Sequence, residues 1–200
     1  MANVDIIKNA VAEGMKDLIR ERTIDNISVT DICEKTGLNR RNFYRYFHDK
    51  YEVVEWIYYH DYILNTEHYE GWTFWDYFPH ITEIIYSDRA YYANAFRYTG
   101  QNSFRDCVVR YLVRLIREDY LPCFPTEELY EFYIAHMAGM TFDRFVIWLS
   151  DENPMPPEAF AKEFQNWYYL SSLATCCVME KEPGRREKAI SFAADEPSRK

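Results

Sequence analysis

Five cations, Lys35, Arg40, Arg41, Arg45 and Lys50, fall in a stretch that contains a single acid, Asp49, although the 200-residue chain as a whole carries a net charge of −9. Asn39, Asn42, Tyr44, Tyr46 and His48 lie among them. Such a set can recognise an anion. An arginine fork matches guanine O6 and N7, an asparagine amide matches adenine N6 and N7, and phenol, imidazole and ammonium groups reach phosphate oxygens. Double-stranded DNA suits these groups. A basic face turned only to water is the rival reading, and the neighbouring residues decide between the two.

Those neighbours predict a helix-turn-helix. Ser28-Val29-Thr30-Asp31 is a capping-box pattern that opens a helix burying Ile32 and Cys33, and Gly37 is the natural residue for the left-handed turn that closes it. Asn39 caps the next helix, which places Arg40 and Arg41 in the first turn, where side chains meet base edges. Phe43 and Phe47 stand one turn apart and are expected to face inward against Leu38, Ile32, Val11 and Leu18, turning the polar residues between them outward. Asn42 has two roles open, an adenine contact or support of the cap. Tyr44 and Tyr46 suit phosphates or thymine methyls, and Arg45 and His48 suit phosphate near the far end. Asp49-Lys50-Tyr51-Glu52 repeats the capping logic for a fourth helix through Val53, Val54 and Ile57, with Lys50 expected to meet an anion at its amino end.

A first helix is expected over residues 4–22, with Ile7, Ala10, Val11, Gly14, Leu18 and Ile19 on one face and Lys8, Lys16 and Arg20 nearer water. The strand candidate, Ile24 to Val29, is short, and apolar spacing elsewhere is helical. The predicted fold class is therefore all-α: an amino-terminal three-helix helix-turn-helix domain plus a larger helical regulatory and dimerisation domain. Trp72 through Phe78 reads as an aromatic cluster, and further helices are expected over 78–98, 101–119, 126–150 and 156–176, with prolines in the gaps. The resulting organisation is a DNA-binding domain over 1–60 (helix-turn-helix about 28–47), a helical effector-binding and dimerisation domain over 61–180, and a polar tail over 181–200 expected to fray.

Charge divides the same way. Residues 1–60 hold nine cations and ten acids, while the remainder holds fourteen and twenty-two. One basic patch on an acidic body fits docking on DNA by a small face and argues against coating nucleic acid over the whole surface. There is no apolar run near the ~20 residues that span a bilayer and no signal-peptide pattern at the start, so the expected location is cytoplasmic, without membrane contact. The five cysteines have no metal-ligand spacing and read as small buried hydrophobes in a reducing compartment. His60, His68, His80 and His136 likewise show no metal spacing, and nucleophile motifs and Gly-rich phosphate loops are missing; no catalytic residue, metal or cofactor is expected.

The string ISVTDICEKTGLNRRNFYRYFHDKYEVVEWIY, from Ile27 to Tyr58, resembles the DNA-binding domain of the TetR/AcrR family of transcriptional regulators. Val29, Ile32, Gly37, Phe43, Tyr44, Phe47 and Lys50 fall on that family's pattern of capped helix, Gly turn, aromatic-rich recognition helix and charged turn. Arg41 departs from it, because the position after Arg40 is often small, and this departure bears on base choice. Tyr98 to Phe104 and Trp56-Ile57-Tyr58 are similar to the branch that contains the dihydroxyacetone-kinase activator DhaS. The resemblance implies a homodimer acting on a DNA operator. The family at large is controlled by a small-molecule effector, and that branch by a partner protein.

Residues 130–149 are apolar nearly all round, and such a helix is not a surface helix of a monomer. Ile134, Met137, Ala138, Phe145 and Trp148, with Phe160, Phe164 and Trp167 from the following helix, are expected at a two-fold four-helix interface; burial within one chain is the rival. The dense aromatics from Tyr58 to Tyr92 have two readings, core and interface packing or a pocket for a flat or cationic ligand. Asp88, Arg89, Arg97 and Arg105 are available as polar anchors for such a ligand. If no pocket exists, an exposed apolar patch is expected near Trp72–Phe78 or Gly100–Phe104.

Overall fold

A computed structural model describes residues 2–63, 71–98, 104–124 and 126–180. The expected tail over 181–200 and most of the Gly100–Phe104 string lie outside that set. The described elements are α1 (Ala2–Glu21), a 3-10 turn (Ile24–Asn26), α2 (Val29–Thr36), α3 (Arg40–Phe43), α4 (Lys50–Tyr58) running into a π-helical turn (Tyr59–Ile63), α5 (Phe74–Ser87), α6 (Arg89–Phe96), α7 (Phe104–Tyr120), a 3-10 turn (Leu121–Cys123), α8 (Glu127–Ser150) and α9 (Pro157–Glu180). Among the described residues there is no strand; Ile24–Asn26, inside the strand candidate, is a 3-10 turn.

Local chemistry places the boundaries. The Ser28 side chain accepts from the Asp31 N–H while Asp31 accepts from the Ser28 N–H, which closes the capping box of α2. Gly37, at φ 71°, supplies the left-handed cap at its other end. The aromatic cluster is not a separate feature: Phe74 to Phe78 form the opening turns of α5, started by Thr73, whose N–H and hydroxyl both donate to Asp76. The helix expected over 78–98 thus begins earlier, and it breaks at Asp88, where the backbone leaves helical geometry at φ −125°, ψ 50°.

Helix α1 packs on α2 and α4, and α2 on α3, with Val11, Met15, Ile19, Ile32, Phe43, Phe47 and Val53 fully buried. Gly14 allows the close crossing of α1 and α2, since a Cβ there would lie 2.4 Å from the Thr36 methyl carbon. Two readings of α1 are corrected: Ala10 is exposed, and Lys16, placed near water by its spacing, has a side chain only 13 % exposed because Asp61 draws it inward.

The larger unit packs α7 on α8 and α9 on α5. Its interior is aromatic. Phe78 stacks on Phe164 at 4.8 Å and on Phe145 at 5.6 Å, and Trp148 stacks on Phe160 at 4.2 Å. Ile134, Met137, Ala138, Phe145, Trp148, Phe160 and Phe164, expected at an interface between copies, are therefore core residues of a single chain; of that set only Trp167 is exposed, at 47 %. Helices α7 and α6 pack along α8, rings of α5 and α9 reach Phe145 and Trp148 near its carboxy end, and Phe132, Ile147 and their neighbours remain exposed on the opposite face. No helix among the described residues is long and apolar enough to cross a membrane. Phe145→Ala should cost about 3–5 kcal/mol of stability in denaturant unfolding, as for other buried aromatic truncations, and Trp167→Ala far less.

Candidate nucleic-acid interface

Helix α3 is one regular turn, extended to Phe47 by tighter hydrogen bonds from Arg45 N–H to Asn42 and from Tyr46 N–H to Phe43. Asn39 starts it by accepting from the Asn42 N–H at 2.9 Å. The cap is thus Asn39, and Asn42 supports it through its backbone N–H. Phe43 and Phe47 are fully buried, 5.9 Å apart, with Trp56 edge-on to Phe47. This fixes one face inward. Asn39, Arg40, Arg41, Tyr44, Arg45 and His48 are exposed on the other, and Asn42 and Tyr46 are partly so.

The exposed groups differ in their freedom. The Arg40 guanidinium donates to Thr30 Oγ1 at 3.2 Å and lies over the Tyr44 ring, which pre-orients it along the surface. The guanidinium groups of Arg41 and Arg45 make no hydrogen bond or ion pair among the described residues. The His48 imidazole, on a side chain 93 % exposed, sits 3.0 Å from Glu52. Glu52 also accepts from the His48 N–H and so serves the start of α4, beside Asp49, which accepts from Tyr51 and Glu52.

Lys50 is placed differently from expectation. Its ammonium donates to the carbonyls of Ile24 at 2.7 Å, Ile27 at 2.8 Å and Asp25 at 3.3 Å. All three donors close the 3-10 turn, so Lys50 holds the fold and has none left for phosphate. Lys35 is similarly engaged, 3.1 Å from Asp17. The basic stretch read from the sequence thus narrows to Arg40, Arg41 and Arg45. Just beside them, the Asp31 carboxyl is pulled down to about 2 by the Ser28 hydroxyl, the Ser28 N–H and Arg22, which keeps α2 capped by an anion.

Contacts behind α1, which the sequence reading missed, tie this surface to the larger unit. The π-helical turn brings Asp61 round to accept from Lys16 at 3.0 Å and from the Tyr92 hydroxyl at 2.6 Å. Arg20 forks onto both oxygens of Asp88, and the Asn94 amide donates to the Ile19 carbonyl at 2.8 Å. Asp88 and Arg89, considered as ligand anchors, are occupied in this way: Asp88 by Arg20, and Arg89 by the carbonyls of Leu149 and Asp151. Helix α4 adds aromatic contacts, Tyr51 stacked on Tyr98 and Tyr58 edge-on to Phe104 and Tyr111.

The exposed apolar patch is not at Trp72–Phe78, where Phe74 and Phe78 are buried. The exposed large apolar side chains on α8 and α9 are Phe132, Ile147, Trp167, Tyr169, Leu170 and Leu173. Between these helices lies a groove of about 670 Å³ lined by Met140, Arg144, Met155, Phe160, Glu163, Phe164 and Trp167.

A short, aromatic-anchored, cation-bearing helix behind a capped partner helix, carried on a larger helical body, defines a helix-turn-helix transcriptional regulator. Residues 14–57 match the model of bacterial regulatory proteins of the tetR family, and residues 73–168 match that family's transcriptional regulator C-terminal region. The chain belongs to the TetR family of DNA-binding transcriptional regulators. It is 33 % identical over 70 residues to the HTH-type dhaKLM operon transcriptional activator DhaS of Lactococcus lactis subsp. lactis (strain IL1403), an alignment covering 34 % of this chain and 37 % of that protein. It is 23 % identical over 194 residues to the uncharacterized HTH-type transcriptional regulator YxbF of Bacillus subtilis (strain 168), covering 89 % of this chain and 48 % of that one. The chain thus spans less than half the length of either relative. A solved structure of the dihydroxyacetone kinase operon activator DhaS shares the fold, with a TM-score of 0.61 at 16 % identity over 82 % of this chain and 94 % of its own.

Lys50→Met should lower stability by about 1–3 kcal/mol, because it strands partly buried carbonyls, and Arg41→Ala should leave it unchanged. Thermal unfolding of the two variants makes the comparison.

Proposed function

We propose that this regulator acts in the cytoplasm as a homodimer that grips a two-fold operator through Asn39, Arg40, Arg41, Asn42, Tyr44, Arg45, Tyr46 and His48 of each copy. The observation that carries this reading is the pair of exposed, unengaged guanidinium groups of Arg41 and Arg45 on the face opposite buried Phe43 and Phe47. Arg40 and Arg41, in the first turn, read guanine; Arg45 and His48 meet phosphate. The two copies join over the α8–α9 face, which carries Phe132 at 77 % exposure and Leu170 at 58 %. Arg144 and Glu163, opposite charges on the two helices that flank the groove, have no ion pair among the described residues and suit reciprocal pairing across the axis.

Activation controlled by a partner protein is favoured over repression relieved by a small molecule. The interior of the larger unit is filled by contacting rings such as Phe96 on Phe104 at 5.3 Å and Phe78 on Phe164 at 4.8 Å. The relative named as an operon activator, DhaS, points the same way.

Operator fragments selected from random DNA by the wild-type protein test the interface. Arg41→Ala should cost about 1–3 kcal/mol of operator affinity and relax preference at the base it reads, and Arg45→Ala should weaken all sequences alike and flatten the salt dependence. Undiminished binding by the Arg40→Ala/Arg41→Ala double variant would remove α3 as the reading element. Sedimentation tests assembly: the wild type should run as a dimer of the 24.1 kDa chain, and Leu170→Glu as a folded monomer. A wild-type monomer would contradict the two-fold reading.

A further inference from the structure

Adjacent residues at the α5–α6 break hold two different helices. Asp88 accepts from Arg20 of α1, Nε at 2.9 Å to one oxygen and a terminal nitrogen to the other. Arg89, the next residue, donates its guanidinium to the Leu149 carbonyl at 3.3 Å and to the Asp151 carbonyl, both at the carboxy end of α8. A cation there also opposes the negative end of that helix. From Arg20 the contacts continue forward. Arg20 is 2.6 Å from Asp17, and Asp17 is 3.1 Å from Lys35 in the last turn of α2, which packs against α3. They also continue backward, because Trp148, in the same last turn of α8, stacks between Tyr86 and the groove residue Phe160.

We propose that Asp88 and Arg89 are positioning residues of a relay that sets the orientation of the reading helix from the α8–α9 groove. The physical basis is their adjacency at a non-helical backbone position. A shift of the α8 end carries Arg89 with it and turns the Asp88 carboxylate, and Arg20 must follow or lose one prong of its fork. The anchor on α1 is stiff, since the Asn94 amide holds the Ile19 and Arg20 carbonyls and Lys16 is held by Asp61. Displacement therefore passes to the helix as a unit. Asp17 and Lys35 carry it to α2 and hence to α3. The second copy seated over the groove then sets the separation of the two reading helices and with it operator affinity.

Hydrogen exchange on full-length Arg89→Gln and Asp88→Asn reads the relay without DNA and without a dimer, so its failure is distinct from failure of the regulator reading. Arg89→Gln touches nothing in α1 or α2, yet exchange of amides 16–36 should accelerate at least about fivefold, with α7 unchanged as the internal control. Asp88→Asn should do the same, and the exchanged pair Arg20→Asp with Asp88→Arg should return the rates to within about twofold of wild type. Where Arg89→Gln unfolds globally, Arg89→Lys, which keeps the charge but not the fork, takes its place. Acceleration confined to residues near 89 and 149–151 would overturn the relay and leave a local brace. The reading as a dimeric regulator adds a functional arm. Arg89→Gln should lose about tenfold in affinity for a two-half-site operator and less than about twofold for a single half-site. Equal losses on the two DNAs would also overturn it.

Discussion

One turn of α-helix cannot sustain itself in water, because nucleation fixes several dihedral angles for each hydrogen bond gained. Helix α3 is such a turn, and the burial of Phe43 and Phe47 holds it. Their spacing sets a single rotation about the helix axis, and that rotation puts Arg41, Tyr44 and Arg45 in solvent. The aromatic pair needs walls, which α1 and α4 supply through Val11, Met15 and Val53, and Lys50 fastens the intervening 3-10 turn to the start of α4. The cationic face is a consequence of where two apolar rings go.

The same helix that walls the aromatics also carries the larger unit. Helix α1 presents apolar residues to α2 and α4 and charged ones, Lys16 and Arg20, to Asp61 and Asp88. These pairs are partly buried and doubly hydrogen-bonded, unlike the exposed pairs on α7 such as Arg110 with Glu55, and pairs of the first kind fix geometry more than they add stability. These charged pairs join the two units alongside the apolar contacts of Tyr58 with Phe104 and Tyr111.

Much of the DNA-binding unit was legible because its signals are local. Ser28 with Asp31, Gly37, Asn39, and Asp49 with Glu52 act within four residues, and each does in the structure what its spacing implies. The failures involve partners distant in sequence. Lys50 looked like a phosphate ligand because its acceptors lie more than twenty residues upstream, and Lys16 looked solvated because Asp61 is 45 residues away. On α8 the pattern was apolar all round, and periodicity has no means of saying which apolar side goes inside. Docking of α5, α7 and α9 took Ile134, Met137, Phe145 and Trp148 inward and left Phe132 and Ile147 outside. The family was legible in Ile27 to Tyr58.

The central claim is that the solvent side of α3 enters the major groove. It is tested most directly by photo-crosslinking from p-benzoylphenylalanine placed at Tyr44, an exposed aromatic position that needs no disturbance of the core. With operator DNA the account predicts crosslinks to bases at two positions about one helical turn apart, one from each copy, and none from the same group placed at Asn153. Crosslinks that arise from Asn153 but not from Tyr44 would contradict it.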